Sequence, residues 1–242
     1  MKLIVLTCDK YKWIVPIFNY FMRKYWPDNP YETEVVTDLG FMNGKVFYAG
    51  NFSWASRLIN YLRHSKEEKF LITLEDYLIK APVDSARVKA AEKLCEGDVG
   101  YVRLSNGPYK YFRKHCRSNP DIEGFREYPP EQRFSMVAHM GFFQKQFLLD
   151  VLREGEDVWQ SEGDGSRRLK KMESKWRVLW PETNIINYMV NGGLMKKGKL
   201  RTHALDWTLT HFKTELLKQE GIERSLYESL KEKMNQERVI NV

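Results

Sequence analysis

A chain of 242 residues, 43% of them hydrophobic and 14% aromatic, has the apolar mass for one α/β core, with or without a short appendage, and is too short for an array of domains. Its formal charge of +7 and pI near 9.1 favour polyanionic partners such as nucleic acid, phosphorylated substrates or anionic lipid surfaces, a weak preference that many soluble domains share. Three cysteines (Cys8, Cys95 and Cys116) without metal-ligand spacing argue against a disulfide framework and for a reducing compartment; no stretch approaches the roughly eighteen apolar residues of a membrane span, so a cytoplasmic location is expected.

Lys2 to Thr7 is apolar and partly β-branched, which predicts a buried first strand. Asp9 to Tyr25 carries Trp13, Ile17, Tyr20 and Phe21 at helical spacing and ends before Pro27. Glu34 to Thr37 predicts a second strand with Asp38 at its end, and Phe52 to His64 a helix closed by a charged turn. Phe70 to Leu74 reads as a third buried strand that delivers Glu75 and Asp76 at its carboxyl end. Val83 to Leu94 reads as helix and Val99 to Leu104 as strand. Asn106 to Arg133 is loop-rich, basic and aromatic, and Met136 to Val151 returns to strand and helix patterning. Gly163 to Arg177, polar and strongly basic, predicts a mobile loop and the start of a helix. From Asp206 onward one or two amphipathic helices are expected, broken near Gly221, so the chain divides into a domain over 1–205 and a helical appendage over 206–242.

Strands and helices in alternation imply a mostly parallel sheet covered on both faces, the Rossmann-like α/β class. Ligands in such sheets gather beyond the carboxyl ends of the strands, where Thr7, Asp38, Glu75 and Asp76 would all lie. Two carboxylates fixed there by a buried strand can hold Mg²⁺ or Mn²⁺ through oxygen, with a sugar-nucleotide diphosphate filling the remaining positions. Acids after a strand also commonly do no more than cap a loop. No P-loop, G-x-S-x-G, Cys-His pair or zinc pattern is present.

The segments TCDKYKWIVPIFNYFMRKYWPD, FSWASRLINYLRH, FLITLEDYLIKAPVD, HMGFFQKQFLLDVLREGEDVWQSEGDGSRR and NYMVNGGLMKKGKLR follow one another in an order that resembles a GT-A glycosyltransferase-like family found in phages and bacterial polysaccharide loci. The likeness runs from about residue 2 to about residue 203. It implies a GT-A fold and metal-dependent transfer of a sugar from a nucleotide diphosphate, most simply a UDP-sugar, to a hydroxyl. Glu75 departs from the usual Asp, which makes Asp76 the safer metal ligand.

By the same resemblance Thr7, Asp9 and Tyr11 line the base and ribose pocket, Asp38 accepts from an imide N–H such as that of uracil, and Arg57 approaches base or diphosphate. Core packing is an equal reading for Tyr11 and Trp54, as is a solvated surface charge for Arg57. Glu162 is the candidate general base, with Asp164 in reserve, and Trp159 the wall of the acceptor pocket. Lys196, Lys197, Lys199 and Arg201 could grip the diphosphate, and His203 could complete the metal shell.

Two basic segments with aromatic neighbours bear on the acceptor. Arg103 to Arg117 holds Lys110, Arg113, Lys114 and His115 beside Tyr109, Tyr111 and Phe112; Arg167, Arg168, Lys170, Lys171 and Lys175 precede Trp176. Such interleaving suits a phosphate backbone with an exposed base, and predicts a hydroxymethyl pyrimidine in phage DNA as acceptor. A surface polysaccharide or lipid-linked glycan is the alternative, and a non-catalytic binding protein of the same fold a third.

Overall fold

The computed structural model describes residues 1–38, 44–106, 116–118, 122–129, 132, 134–172, 175–189, 193–196, 199–217 and 224–240. Strand β1 (Lys2–Leu6) is KLIVL, and its alternation sends Leu3 and Val5 to one face of the sheet, Ile4 and Leu6 to the other. A strand apolar on both faces has to sit centrally. It pairs in parallel with β2 (Glu32–Thr37) on one side and β4 (Lys69–Leu74) on the other, and β3 (Val46–Tyr48) extends β2.

The other half of the sheet is mixed. Strand β8 (Gly141–Gln144) lies antiparallel between β4 and β5 (Val99–Arg103), and β9 (Arg177–Pro181) runs parallel to β5. Short antiparallel strands β7 (Phe125–Glu127) and β6 (Arg117–Ser118) close that edge. The order among the described residues is β3-β2-β1-β4-β8-β5-β9-β7-β6. A separate ribbon pairs β10 (Met195–Lys196) with β11 (Lys199–Leu200).

Helices cover both faces. One core gathers α1 (Val15–Tyr25), α3 (Ser85–Leu94) and α6 (Thr202–Leu217) with Leu3, Val5 and Leu71. The other gathers α2 (Trp54–His64), α4 (Lys145–Val151) and α5 (Val158–Lys171) with Ile4, Leu6 and Ile72. Local chemistry sets the helix starts. Ser53 accepts from the Ser56 N–H at 3.2 Å, and Asp84 accepts from the N–H groups of Ala86 and Arg87.

Two expectations change. The segment from Gly163 to Arg177 is not a loop: α5 starts five residues before Gly163, at an Asp157–Gln160 capping box, and continues through both glycines to Lys171. Leu169, buried against α4 and β9 residues, supplies the packing that outweighs glycine's weak helix propensity. Arg177 then opens a central strand. The boundary at 205/206 falls inside α6, whose Ala204, Leu205 and Phe212 belong to the core that also holds Leu3 and Val5. Phe212 stacks on Phe21 with ring centroids 5.6 Å apart, so α6 packs on α1 as part of the main body. Helix α7 (Arg224–Ile240) comes next, and the break expected near Gly221 lies outside the described residues.

Candidate active site

Because β1, β2 and β4 are parallel, the residues after them emerge at one edge of the sheet. They line a cavity of about 490 Å³, together with the starts of α2 and α5. Thr7, Tyr11 and Asp38 are at the β1–β2 end; the Asp38 carboxylate accepts the Asp9 backbone N–H at 2.6 Å and faces Arg57 Nη1 at 3.3 Å. Arg57 is 8% exposed, which removes the solvated-charge reading. Its Nε and the Nε1 of Trp54, one helical turn earlier, are buried without a hydrogen-bond partner among the described residues, and both residues line the cavity.

Glu75 and Asp76 are both buried at the end of β4. Burial raises both carboxyls, Glu75 well above its ordinary value with further help from the Asp76 charge, and Asp76 to about 6. The main-chain N–H of Met195 donates to Asp76 Oδ2 at 3.0 Å, and that of Leu194 donates to the Asp76 carbonyl at 2.8 Å. Gly193 completes this clasp. Its φ is +78°, and a Cβ there would stand 2.3 Å from Asp76 Oδ2, so a side chain is excluded twice over.

Glu162 projects from α5 into the same cavity, buried, with Oε1 accepting the Ala138 N–H at 2.8 Å. Burial raises its carboxyl, opposed by that N–H and by the charge of Arg103. Trp159, one turn earlier on α5, is 57% exposed at the cavity, as is Phe52. The Phe52 ring lies on Gly50, where φ is +92° and a Cβ would stand 2.6 Å from the ring. Sequence reasoning missed Phe52, Asp157, Gly193 and Met195. The Asp157 capping box was readable as D-x-x-Q, whereas the Gly193–Met195 contact joins residues more than a hundred positions from Asp76 and left no local signal.

Several expected site residues lie elsewhere. Asp9 is exposed and pairs with Lys12; only its backbone reaches Asp38. Asp164 pairs with Arg167 one turn on along α5, and neither lines the cavity. Lys199 and His203 are exposed and do not line it either, and His203 does not join Glu75 and Asp76. Among the described residues no three of His, Cys, Asp or Glu converge as a metal cluster.

The basic segments divide similarly. Arg168 is held by both oxygens of Glu156 at 2.8 and 2.7 Å and by the Val151 carbonyl at 2.6 Å, while Lys170 and Lys171 are exposed at the end of α5. Trp176 is buried with Nε1 donating to Asp150, and Arg103 is buried with its guanidinium stacked on Trp180 at 4.0 Å, which takes both out of reach of a nucleic-acid strand. Tyr109, Lys110, Tyr111, Phe112, Arg113, Lys114, His115 and Lys197 lie outside the described residues, as does the side chain of Lys196.

The pair Glu75–Asp76 suits a hard divalent cation. Two adjacent buried carboxylates, raised by desolvation, are the donor set whose charge such an ion would neutralise.

No family model and no curated protein matches the chain. Among solved structures, CMP:2-keto-3-deoxy-manno-octonic acid synthetase complexed with CTP aligns over 88% of this chain and 98% of its own, at 11% identity and a TM-score of 0.53. TarS of S. aureus aligns over 95% of this chain and 42% of its own, at 12% identity and a TM-score of 0.47. The galactosyltransferase LgtC, in complex with donor and acceptor sugar analogs, aligns over 95% and 100%, at 12% identity and a TM-score of 0.42. At these identities likeness speaks for fold alone. The fold is α/β of the GT-A, Rossmann-like type, a large sheet flanked by helices with further helices at the C-terminal end. No helix among the described residues is long and apolar enough to cross a membrane.

Proposed function

We propose that the chain transfers a glycosyl group from a nucleotide-diphosphate sugar to a hydroxyl of a carbohydrate acceptor. The observation that carries this reading is one cavity holding three buried groups of different use: the acid pair Glu75–Asp76, the Asp38–Arg57 pair, and Glu162. Asp38 and Arg57 present an acceptor beside donors, which suits an imide-bearing base such as uracil. Mn²⁺ or Mg²⁺ held by Asp76 and Glu75 would neutralise charge on the departing diphosphate. Glu162 takes the proton of the acceptor hydroxyl as its oxygen bonds to the anomeric carbon and the bond to diphosphate breaks. The Ala138 N–H holds the Glu162 carboxylate in one orientation for this task.

Charge favours a glycan over DNA as the acceptor. Asp38, Glu75, Asp76, Asp157 and Glu162 line the cavity against Arg57 as the one cationic side chain among the described lining residues. A field of that sign opposes a polyanion that brings no cation with it, whereas the diphosphate would enter with Mn²⁺ or Mg²⁺. Exposed Trp159 and Phe52 instead offer flat faces to a neutral sugar ring. Of the basic residues that favour a hydroxymethyl pyrimidine in DNA, Arg103 and Arg168 are engaged by the fold away from the cavity.

Incubation with a panel of nucleotide sugars, followed by mass analysis of glycan and hydroxymethylated-DNA acceptors, tests the reading. Sugar added to glycan is expected; a base-linked sugar on DNA would reverse the acceptor assignment. Absence of both transfer and nucleotide-sugar hydrolysis would leave a binding protein.

A further inference from the structure

Behind Tyr77 lies a second, smaller cavity of about 60 Å³. Tyr77 lines the large cavity, and its ring packs on the rings of His139 and Tyr188 at 4.6 and 5.2 Å, both of which line the small one. Tyr77 thus belongs to the wall of the large cavity and touches two residues of the small one. The polar lining of the small cavity is Lys80, Ser105, His139, Asn184, Asn187 and Tyr188, with no carboxylate among the described residues.

This lining is rich in donors. Arg103 Nη2 lies 2.8 Å from His139 Nδ1, and a guanidinium can only donate. Nδ1 is therefore the acceptor, the ring proton sits on Nε2, and the imidazole reaches the cavity as a neutral N–H donor. Burial and the Arg103 charge both hold it in that form. The Tyr188 hydroxyl is buried, 8% of the residue being exposed, and its proton finds no acceptor among the described residues. The Met140 main-chain N–H near its oxygen is itself a donor. A buried O–H without an acceptor is a site asking for an acceptor atom. Asn184 accepts the Asn106 N–H and donates to Asn187 Oδ1, so Asn187 offers its NH₂ onward. Lys80 is exposed at the rim and makes no ion pair among the described residues. Four kinds of N–H and O–H donor, one formal positive charge and no negative one favour a ligand that only accepts. The volume holds one compact group and excludes a sugar ring.

We propose that this cavity is an oxyanion subsite that takes a single phosphate or carboxylate group. The contact of Tyr77, a wall of the large cavity, with His139 and Tyr188 makes it the seat for an anionic substituent on the acceptor, a role that rests on the glycosyl-transfer reading; binding of the anion does not. Titration with inorganic phosphate at constant ionic strength, followed by NMR of the His139 ring and the Tyr188 region, is the test. Saturable shifts are expected with phosphate and none with chloride. Lys80→Met, a change at the exposed rim, and Tyr188→Phe, which keeps the ring, should each weaken phosphate binding by about tenfold or more, the size of one lost hydrogen bond to a charged group. Acetate in place of phosphate distinguishes a carboxylate site from a phosphate site. Absence of saturable shifts at His139 with either anion, or shifts unchanged in both variants, overturns the proposal. UDP binding in Lys80→Met should equal wild type, so a protein that binds phosphate here and no nucleotide would sink only the glycosyl-transfer reading.

Discussion

The two cavities on either side of Tyr77 share a sheet edge and have opposite chemistry. The large one is lined by five carboxylates and one arginine, the small one by donors and no carboxylate among the described residues. Their origins differ correspondingly. The large cavity collects the residues just beyond parallel strands β1, β2 and β4, where each strand end adds its own polar group, Thr7, Asp38 and the Glu75–Asp76 pair. The small one collects loops after β4, β5 and β9 and before the antiparallel β8, whose polar side chains are amides, hydroxyls, a lysine and a histidine held neutral by burial and by the Arg103 charge. Mean charge therefore says little about ligands. A chain of net charge +7 presents its large cavity as an acidic one, because cations such as Lys170 and Lys171 sit on a helix surface and Arg103 in the core.

The comparison breaks most sharply at Asp76. Asp76→Asn replaces an anionic ligand by a neutral amide and should abolish Mn²⁺-dependent UDP binding in calorimetry, with Glu75→Ala weakening it less. Affinity equal to wild type in the amide variant would remove the acid pair from the donor site. Glu162→Gln should keep UDP affinity and lower turnover by about 10²–10⁴, the usual loss for a general base. Because burial raises this carboxyl, the acid limb of the kcat/KM profile should fall above the ordinary carboxylate range, activity being lost as pH drops and the base is protonated.

Gly193→Ala tests the clasp on Asp76. A left-handed alanine costs about 1–3 kcal/mol, and the methyl group meets the carboxylate as well. A loss of a few degrees in Tm is expected, at about 2–4 °C per kcal/mol for a chain of this size. Weaker Mn²⁺–UDP binding should accompany it; lowered Tm with normal binding would make the glycine merely structural.

The acidic cavity also predicts a pH dependence of stability. Glu75, Asp76 and Glu162 have folded pKa values above their unfolded ones, so the native state holds more protons and stability falls as pH rises from about 4 through about 6. Thermal melting should thus be higher near pH 5 than near pH 7.5 without metal, and Mn²⁺ should narrow the gap by compensating the ionised pair. The buried, neutral His139 contributes the opposite slope, so the check is made against Glu162→Gln: a pH dependence of melting unchanged in that variant would contradict the contribution of the buried acid. The smallest effect is expected from Arg167→Ala combined with Lys170→Ala and Lys171→Ala. Exposed and outside the cavity, these residues should change glycan transfer by no more than about twofold. A marked loss would return the acceptor to a polyanion.

Strands that are apolar on both faces were legible because burial on two sides leaves few polar positions: β1 and β4 lie within a residue of their expected bounds, and with them came Thr7, Asp38, Glu75 and Asp76 at one edge. Helix α5 was not legible, since Gly163 and Gly165 read as breakers while the reason for a helix lay in Leu169 packing on a distant core. Strands β6 and β7 were missed for a related reason: at two and three residues, pairing on an existing edge makes them strands.

The residues by themselves determined the alternation of elements, the central strands and the acids at their ends, because periodicity and local propensity are properties of neighbouring positions. Only the tertiary structure decided which charges are free. Arg57 and Arg103 carry the same formal charge in the sequence; one is drawn beside Asp38 in a cavity and the other is sealed under Trp180 beside His139. Glu162 and Asp164 are two residues apart on one helix, yet a rotation of about 200° at 3.6 residues per turn points one into the cavity and leaves the other with Arg167. Burial and partnership are set by contacts between residues far apart in the chain, such as Met195 on Asp76, and those no local pattern encodes.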